Sequence, residues 1–459
     1  MSIGVIVLAA GRGLRMRSEI PKVLHTCAGR TLLGWVLAAV EGLDPDEVTV
    51  VVGHGADLVS ATLTDGMSSI LQDPQNGTGH AALVGLGDLN QSHDTIVVVP
   101  GDMPLLRPES LVDLVSVHGS AQSAATVLTV EMADPAGYGR IVRDGTAITA
   151  IVEERDATVQ QRSITEVNTS VYAFDGALFA DALHSIGSTN DQSEQYLTDV
   201  VSVFVENGDA VTGVVVSSEE GMGVNSQQQL AEAAAALRAR INRQHLDAGV
   251  WMLDPHRVYI DADITIGAGT QIYPDTYITG DAVIGQNVRL GPGVQISDST
   301  VGDGSRIVSA VLDSATVGVD VSVGPFAYLR PGAVLADGSK VGTYVEVKNS
   351  EIGPGSKVPH LSYIGDATIG RDTNIGAATV TVNWDGDEKH RTTIGDRVKI
   401  GSDTMLVAPV TIGDDAYTGA GSVITEDVPP GSIGIERSAQ KNVPDYAEKR
   451  RRRKNGETD

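Results

Sequence analysis

Near the start of the chain, LAAGRGLRMRSEIPKVLH (Leu8 to His25) sets Arg12, Arg15 and Lys22 behind two alanines and a glycine. The chemistry such a set supports is anion binding. Ala9, Ala10 and Gly11 let a ligand approach backbone N–H groups closely. An arginine fork holds phosphate bidentately, and a lysine acts as a point charge. No G-K-[ST] follows, so this is not a Walker loop. An ordinary strand-to-helix turn with solvated arginines is the plain alternative. A second set lies downstream: Arg330, Lys348 and Lys389 can converge on a phosphate, and His360 is a candidate general base, the role histidine most often fills. The plain alternative for His360 is surface decoration. A catalytic zinc would need about three histidines, and only His360 and His390 follow His256.

Two kinds of element must position these residues. Apolar runs at Gly4–Leu8, Val48–Val52 and Thr95–Val99 alternate with helical stretches such as Leu32–Glu41. Strand–helix alternation argues a mostly parallel sheet covered on both faces, with ligands at the carboxyl ends of its strands. The loop from Ala9 lies at such an end. NSQQQLAEAAAALRARINRQHL then reads as a long helix, with Leu230, Leu237 and Ile241 on one face. Beyond Trp251, aliphatic–Gly pairs recur, many at separations of six or multiples of six, as from Gly267 to Gly285, Gly318 to Gly324 and Gly324 to Gly342. Simple hairpins alternate at period two and would not keep that phase, so the pattern predicts a parallel β-helix of hexapeptide repeats. Breaks in phase, at 342 to 353 and 376 to 395, predict extruded loops, VNWDGDEKH being the clearest. The domains expected are 1–225, a linker helix over 226–250, a β-helix over 251–437 and a charged, disordered tail over 438–459.

With 459 residues, 33 Lys+Arg and 59 Asp+Glu, the formal charge is −26, which repels nucleic acid and anionic membranes and makes any phosphate site a local cationic island. Cys27 is the sole cysteine, so no intrachain disulfide forms. No apolar run reaches membrane-spanning length and the apolar start lacks a basic leader, so a cytoplasmic location is expected.

The block LAAGxGxRM…PKxL resembles the sugar nucleotidyltransferases, which couple a sugar 1-phosphate to a nucleoside triphosphate and release pyrophosphate. The resemblance implies a Rossmann-like domain that binds UTP through Leu8, Ala9, Ala10, Gly11 and Lys22, with Arg15 and Lys22 catalytic. In LQDPQNGTGHA, Gln72 and the backbone of Gly77 would face the base, with Thr78 nearby; PGDMPLL supplies Gly101 and Asp102. Gly139, Glu153 and Asn168 would hold an acetamido sugar, and Asp102 with Asn225 would hold Mg²⁺. Asp102 as a turn residue and Asn225 as a helix N-cap are the plain alternatives.

RPG…VEVKNS…PHLSYIGDATIG…NIGA is similar to the hexapeptide acyltransferases, whose β-helix is left-handed. Both halves together resemble a bacterial family with two activities: acetyl transfer from acetyl-CoA to glucosamine 1-phosphate, then uridylyl transfer from UTP to the acetylated sugar phosphate, feeding cell-envelope precursors. By that resemblance Arg330, Lys348, Tyr363 and Asn374 hold glucosamine 1-phosphate and His360 takes a proton from its amine. Ala377, Asn383, Trp384, Ser402, Ala420 and Arg437 would line the acetyl-CoA channel, with Lys389 nearby and Glu346 orienting His360 or its neighbours. A homotrimer with acetyl-CoA sites between subunits is implied. Trp384 stands where the family usually has Tyr, and Asn76 where it usually has Leu. The competing functions are a uridylyltransferase whose β-helix only assembles subunits, and a nonenzymatic scaffold.

Overall fold

The computed structural model describes residues 1–90, 92–187 and 194–456 and falls into two compact units, Met1–Ile241 and Asn242–Asp459. The first unit is built on β1 (Ile3–Ala9), β2 (Glu47–Val52), β3 (Met67–Leu71), β4 (Thr95–Pro100), β5 (Ala125–Glu131), β6 (Arg140–Asp144), β7 (Ala147–Val152), β8 (Glu166–Asp175) and β9 (Val211–Val216). Their order across the sheet is β9-β5-β8-β4-β1-β2-β3, with β6 joining β7 to β8. β3, β2, β1 and β4 are parallel, and β8 is antiparallel to β4 and β5. Helices cover both faces, so alternate residues of one strand enter different cores. Val5 and Val7 pack with Val97 and Val99, whereas Ile6 packs with Ile96 and Val98. From β1 the chain steps to β2 on one side, while β4 lies on the other. This is a topological switch, where the strand ends leave a crevice.

A 21-residue helix spans Gln227–Asp247 and contains the boundary between the units. Its Ala233 and Leu237 pack on Met16, Leu32 and Leu105. The buried Asn242 side chain donates to the carbonyls of Pro255 (2.7 Å) and Val258 (2.9 Å).

The second unit winds through three parallel sheets of seven, ten and nine strands. One inward aliphatic per coil stacks in register on the nine-stranded face, from Ile266 and Ile284 through Val317 and Leu335 to Ile394 and Ile412. The repeat glycines are demanded by close approach: a Cβ on Gly342 would lie 1.9 Å from the carbonyl oxygen of Pro359. The two breaks in phase differ in kind. At 342–353 no loop is extruded, because Val341 pairs with Val358 and Ile352 with Ile369, so the coil is one residue shorter than 18. Buried Ser350 makes the shortfall good, its hydroxyl accepting the Ala367 N–H at 2.8 Å. At 376–395 the excursion is real: Ile369 pairs with Ile394, and Trp384 bridges Lys389 in an antiparallel turn.

The tail differs from the disorder expected of it. Tyr446–Lys454 is a helix, exposed along its whole length, carried by good helix formers and a Glu448–Arg452 pair at 2.5 Å. Residues 457–459 lie outside the described residues.

Candidate active sites

The loop after β1 is exposed from Gly11 to Ile20 except at Gly13 and Met16. Met16 is buried and ends the short 3-10 turn Leu14–Met16, so the turn is pinned by one side chain while Arg12 and Arg15 face outward. Gly13 takes φ +60, and a Cβ there would lie 2.6 Å from the Cβ of Lys22. The Lys22 ammonium ion-pairs with Asp102 and bonds the Asn225 side-chain oxygen at 3.1 Å. Three segments separated by 80 and 203 residues thus meet at one nitrogen.

That meeting point lies in a cavity of about 1120 Å³, lined among others by Leu8, Ala9, Ala10, Gly11, Arg15, Gln72, Gly77, Thr78, Glu153 and Asn168. Two expected residues stand behind the wall. Gly101 is buried and donates its N–H to Leu8 (2.9 Å); Gly139 packs near Asn168 and the Glu153 carboxylate. The Gln72 amide donates to the Gly77 carbonyl (3.0 Å), fixing the turn into the helix Thr78–Asp88. Asn168 donates to the Tyr172 hydroxyl (2.7 Å) and accepts from the Ser170 N–H (3.0 Å). Burial pushes the Glu153 carboxyl above its ordinary range, and the charges of Asp156 and Asp199 add to the rise against an opposing bond from Thr198. The cavity therefore pairs a cationic loop with carboxyl groups suited to sugar hydroxyls.

Several lining residues carried no sequence signal. Tyr138 titrates high through burial and the charge of Asp102. Gln75 donates to the Ala10 carbonyl at 2.6 Å, steadying the loop from a distance of 65 residues. Only the fold reveals them.

Asp102 and Asn225 offer two hard oxygens at a spot one ammonium already bridges. Gly223 leaves room beside them: a Cβ there would stand 3.9 Å from the nearer Asp102 oxygen. Mg²⁺ characteristically takes one or two such protein oxygens and completes its shell with phosphate and water, so the donor set fits that ion. Among the described residues no group of three or more His, Cys, Asp or Glu forms a metal cage.

In the β-helix, Arg330 bonds Glu346 at 2.7 Å, and Glu346 stacks in register with Tyr363 on the next coil. Lys348 lies beside Lys389 closely enough to depress the Lys389 ammonium below its ordinary value. Burial acts to raise Asp366, but hydrogen bonds from Asn349 and Asn383 and the charges of Lys348 and Lys389 outweigh it and hold the group low. Asn383 also donates to the Tyr363 hydroxyl at 3.5 Å. Arg330, Glu346, Lys348, Tyr363, Asn383 and Lys389 are thus one connected polar cluster. The Glu346 carboxylate, outward on its coil, holds the Arg330 guanidinium.

His360 heads a separate column. Its carbonyl accepts the Ala378 N–H (3.3 Å), Ala377 accepts from Asp403 (2.7 Å), and Ser402 accepts from Gly421 (2.9 Å). His360, Ala377, Ser402 and Ala420 therefore share one edge of the prism on successive coils, and Arg437 donates to the Ala420 carbonyl at 2.8 Å. Small residues along an edge that ends at an exposed histidine leave a straight track for a thin ligand. Asn374 lies three residues before Ala377, bridged to Lys357 and Lys399 on the adjoining face. Trp384 is exposed on the excursion.

Comparison with known proteins follows the same division. The MobA-like NTP transferase domain matches residues 5–167, and the bacterial transferase hexapeptide repeat matches 263–298 and 391–426. A protein named bifunctional protein GlmU from Streptomyces avermitilis is 50% identical over 454 residues, covering 97% of this chain and 94% of its own. The protein of that name from Streptomyces coelicolor is 48% identical over the same shares. That from Mycobacterium tuberculosis is 48% identical across 97% of this chain and 92% of its own. With a nucleotidyltransferase sheet, a left-handed hexapeptide β-helix and near-complete coverage at about half identity, the chain belongs to the bifunctional GlmU family.

Proposed function

We propose that the chain makes UDP-N-acetylglucosamine in two steps at two sites. The β-helix transfers acetyl from acetyl-CoA to glucosamine 1-phosphate, and the N-terminal unit then transfers uridylyl from UTP to the product, releasing pyrophosphate. The observation that carries the second step is the convergence of Lys22, Asp102 and Asn225 in the large cavity.

In uridylyl transfer the sugar phosphate is already an anion at neutral pH. One of its oxygens attacks the α-phosphorus in line, and the bond from that phosphorus to the bridging oxygen breaks. Arg15 and Lys22 neutralise charge as the bond order shifts. Gln72 and the Gly77 turn select the base; Glu153 and Asn168 take the sugar. Asp102 and Asn225 would hold Mg²⁺, which when bound supplies further neutralisation of the phosphate oxygens.

In acetyl transfer, Arg330, Lys348, Tyr363 and Asn374 hold glucosamine 1-phosphate, the Lys348–Lys389 pair giving a dicationic clamp suited to a phosphate dianion. Its amine attacks the thioester carbon and forms the amide C–N bond, the C–S bond breaks with CoA leaving as the thiolate, and His360 removes the amine proton. Acetyl-CoA lies along Ala377, Asn383, Trp384, Ser402, Ala420 and Arg437.

A homotrimer is the assembly proposed. Its support is the ten-stranded face, where Tyr277, Val311 and Tyr328 are exposed in one register column with Gln295 between the first two, a largely apolar strip suited to another copy. No helix among the described residues is long and apolar enough to cross a membrane, and the cytoplasm is the proposed compartment.

The test is a paired assay. Unsubstituted protein should release pyrophosphate from UTP and N-acetylglucosamine 1-phosphate only with Mg²⁺. His360→Ala should abolish acetyl transfer and leave that release near normal. Loss of neither activity in the variant would misplace the acetyl site; absence of both in the unsubstituted chain would favour a scaffold.

A further inference from the structure

We infer that the seven-stranded face of the β-helix is an electrostatic guide that draws phosphorylated substrates toward the acetyl-transfer edge. Down its centre, in register from coil to coil, stand Arg289, Arg306, Lys340, Lys357 and Lys399, interrupted only by Ser322 and Asn374. All five cations point outward and are exposed. At about 4.8 Å per coil the column is about 29 Å long.

Three observations set this stripe apart from ordinary surface charge. First, among the described residues none of the five is ion-paired, although other arginines of this unit are, such as Arg257 with Asp275 and Arg397 with Asp415. Arg289 and Lys399 lie instead over the rings of Tyr273 and Tyr417, at 4.7 Å and 5.6 Å. Second, Arg289 faces Arg306 and Lys340 faces Lys357 directly across the ladder, an arrangement that costs stability. The matching columns of the ten- and nine-stranded faces each carry a single charged residue, Glu346 and Glu351. Third, the face is polarised. Three residues before the stripe, Asp303, Asp337 and Asp396 outnumber the one cation, Arg371, and form an edge of net negative charge, the carboxylates accepting N–H groups of the preceding coil. Three residues after it, about 10 Å away along the strand direction, lies the edge of His360, Ala377 and Ser402.

A chain of net charge −26 repels an anion at long range. At physiological ionic strength that repulsion is screened beyond about 8 Å, so charges local to the site decide the approach. An anion reaching this face is turned away from the acidic edge and drawn across the cations to the catalytic one. Both substrates of acetyl transfer, glucosamine 1-phosphate and acetyl-CoA, carry phosphate, and the guide rests on the acetyl-transfer assignment made above.

The test is the triple variant Arg289→Gln, Arg306→Gln, Lys340→Gln in the full chain, all three outside the substrate and acetyl-CoA sets. With each substrate varied in turn at low ionic strength, kcat/KM for at least one should fall about 3- to 10-fold, within the range electrostatic steering gives, while kcat holds. The substrate that responds identifies which anion is guided. The difference should close as salt is raised, kcat/KM for uncharged acetyl-pantetheine at saturating glucosamine 1-phosphate should not change, and uridylyl transfer should not change. Equal kcat/KM at every salt concentration would overturn the guide. So would dissociation of the oligomer in the variant, which would make the stripe a contact between copies. Absence of acetyl transfer in the unsubstituted protein would instead overturn the assignment on which the guide rests.

Discussion

Residue by residue, the two glycines of the phosphate loop answer to different constraints. A Cβ on Gly11 meets nothing within 4 Å, whereas Gly13 has φ +60 and no room beside Lys22. Gly13→Ala should therefore cost about 1–2 kcal/mol from its left-handed backbone alone, seen as a lower melting temperature, and should also shift Lys22 and weaken UTP turnover. Gly11→Ala should leave the melt unchanged and raise only the KM for UTP, because its side chain collides with bound nucleotide alone. Equal melting losses in both variants would contradict this division. Glu153 supplies a pH-dependent case. Its carboxyl is raised by burial, so the fold binds its proton more tightly than the unfolded chain does. The stabilisation is fully present below the ordinary carboxylate value of about 4.3 and is lost as pH rises through the raised one. Glu153→Gln should thus melt higher than the unsubstituted protein at neutral pH and match it near pH 4, yet bind the sugar phosphate less well. Lys22, Asp102 and Asn225 were legible as motif residues, but their meeting was not. Gln75 and Tyr138 were silent, because a glutamine in a loop and a tyrosine beside a glycine acquire roles only from what the fold puts next to them.

Elements show where periodicity informs and where it misleads. Inward aliphatics and closely approached glycines recur because every coil repeats one cross-section, so the β-helix could be read directly from spacing. A coil shortened by one residue breaks the phase as visibly as a loop does, and spacing alone cannot separate them; buried serines such as Ser350 mark the shortened coils. The true excursion is organised by Asp385. Its carboxylate accepts the N–H groups of Asp387 and Glu388, both at 2.8 Å, and bonds His390 at 2.6 Å. Those bonds hold the Asp385 carboxyl far below its ordinary range. The contribution is present above the ordinary carboxylate value and is lost only as pH falls through the depressed one, so the turn stays closed across the working range. Asp385→Ala should free Trp384 and Lys389, raising the KM for acetyl-CoA and speeding hydrogen exchange at Asp387 and Glu388, with uridylyl transfer unaffected. Asp385→Asn keeps an oxygen acceptor for the two N–H groups and should recover part of the loss. Unchanged exchange in the alanine variant would show that the turn does not depend on this carboxylate.

For the whole molecule, the decisive property is that two compact units each enclose a complete set of the residues proposed for one step. The uridylyl set runs from Leu8 to Asn225 and the acetyl set from Arg330 to Arg437, with no residue shared. A chain crippled at Lys22 should therefore retain acetyl transfer, and one crippled at His360 should retain uridylyl transfer. Mixing Lys22→Ala with His360→Ala protein should restore UDP-N-acetylglucosamine synthesis from glucosamine 1-phosphate, acetyl-CoA and UTP, which neither variant achieves alone. The intermediate sugar phosphate must then leave one chain and enter another. Synthesis should begin with a lag that shortens as total protein is raised, and added N-acetylglucosamine 1-phosphate should abolish the lag. If the steps instead required a single chain with both sites intact, the mixture would stay inactive while each variant kept its own half-reaction, and division of labour between independent units would have to be abandoned.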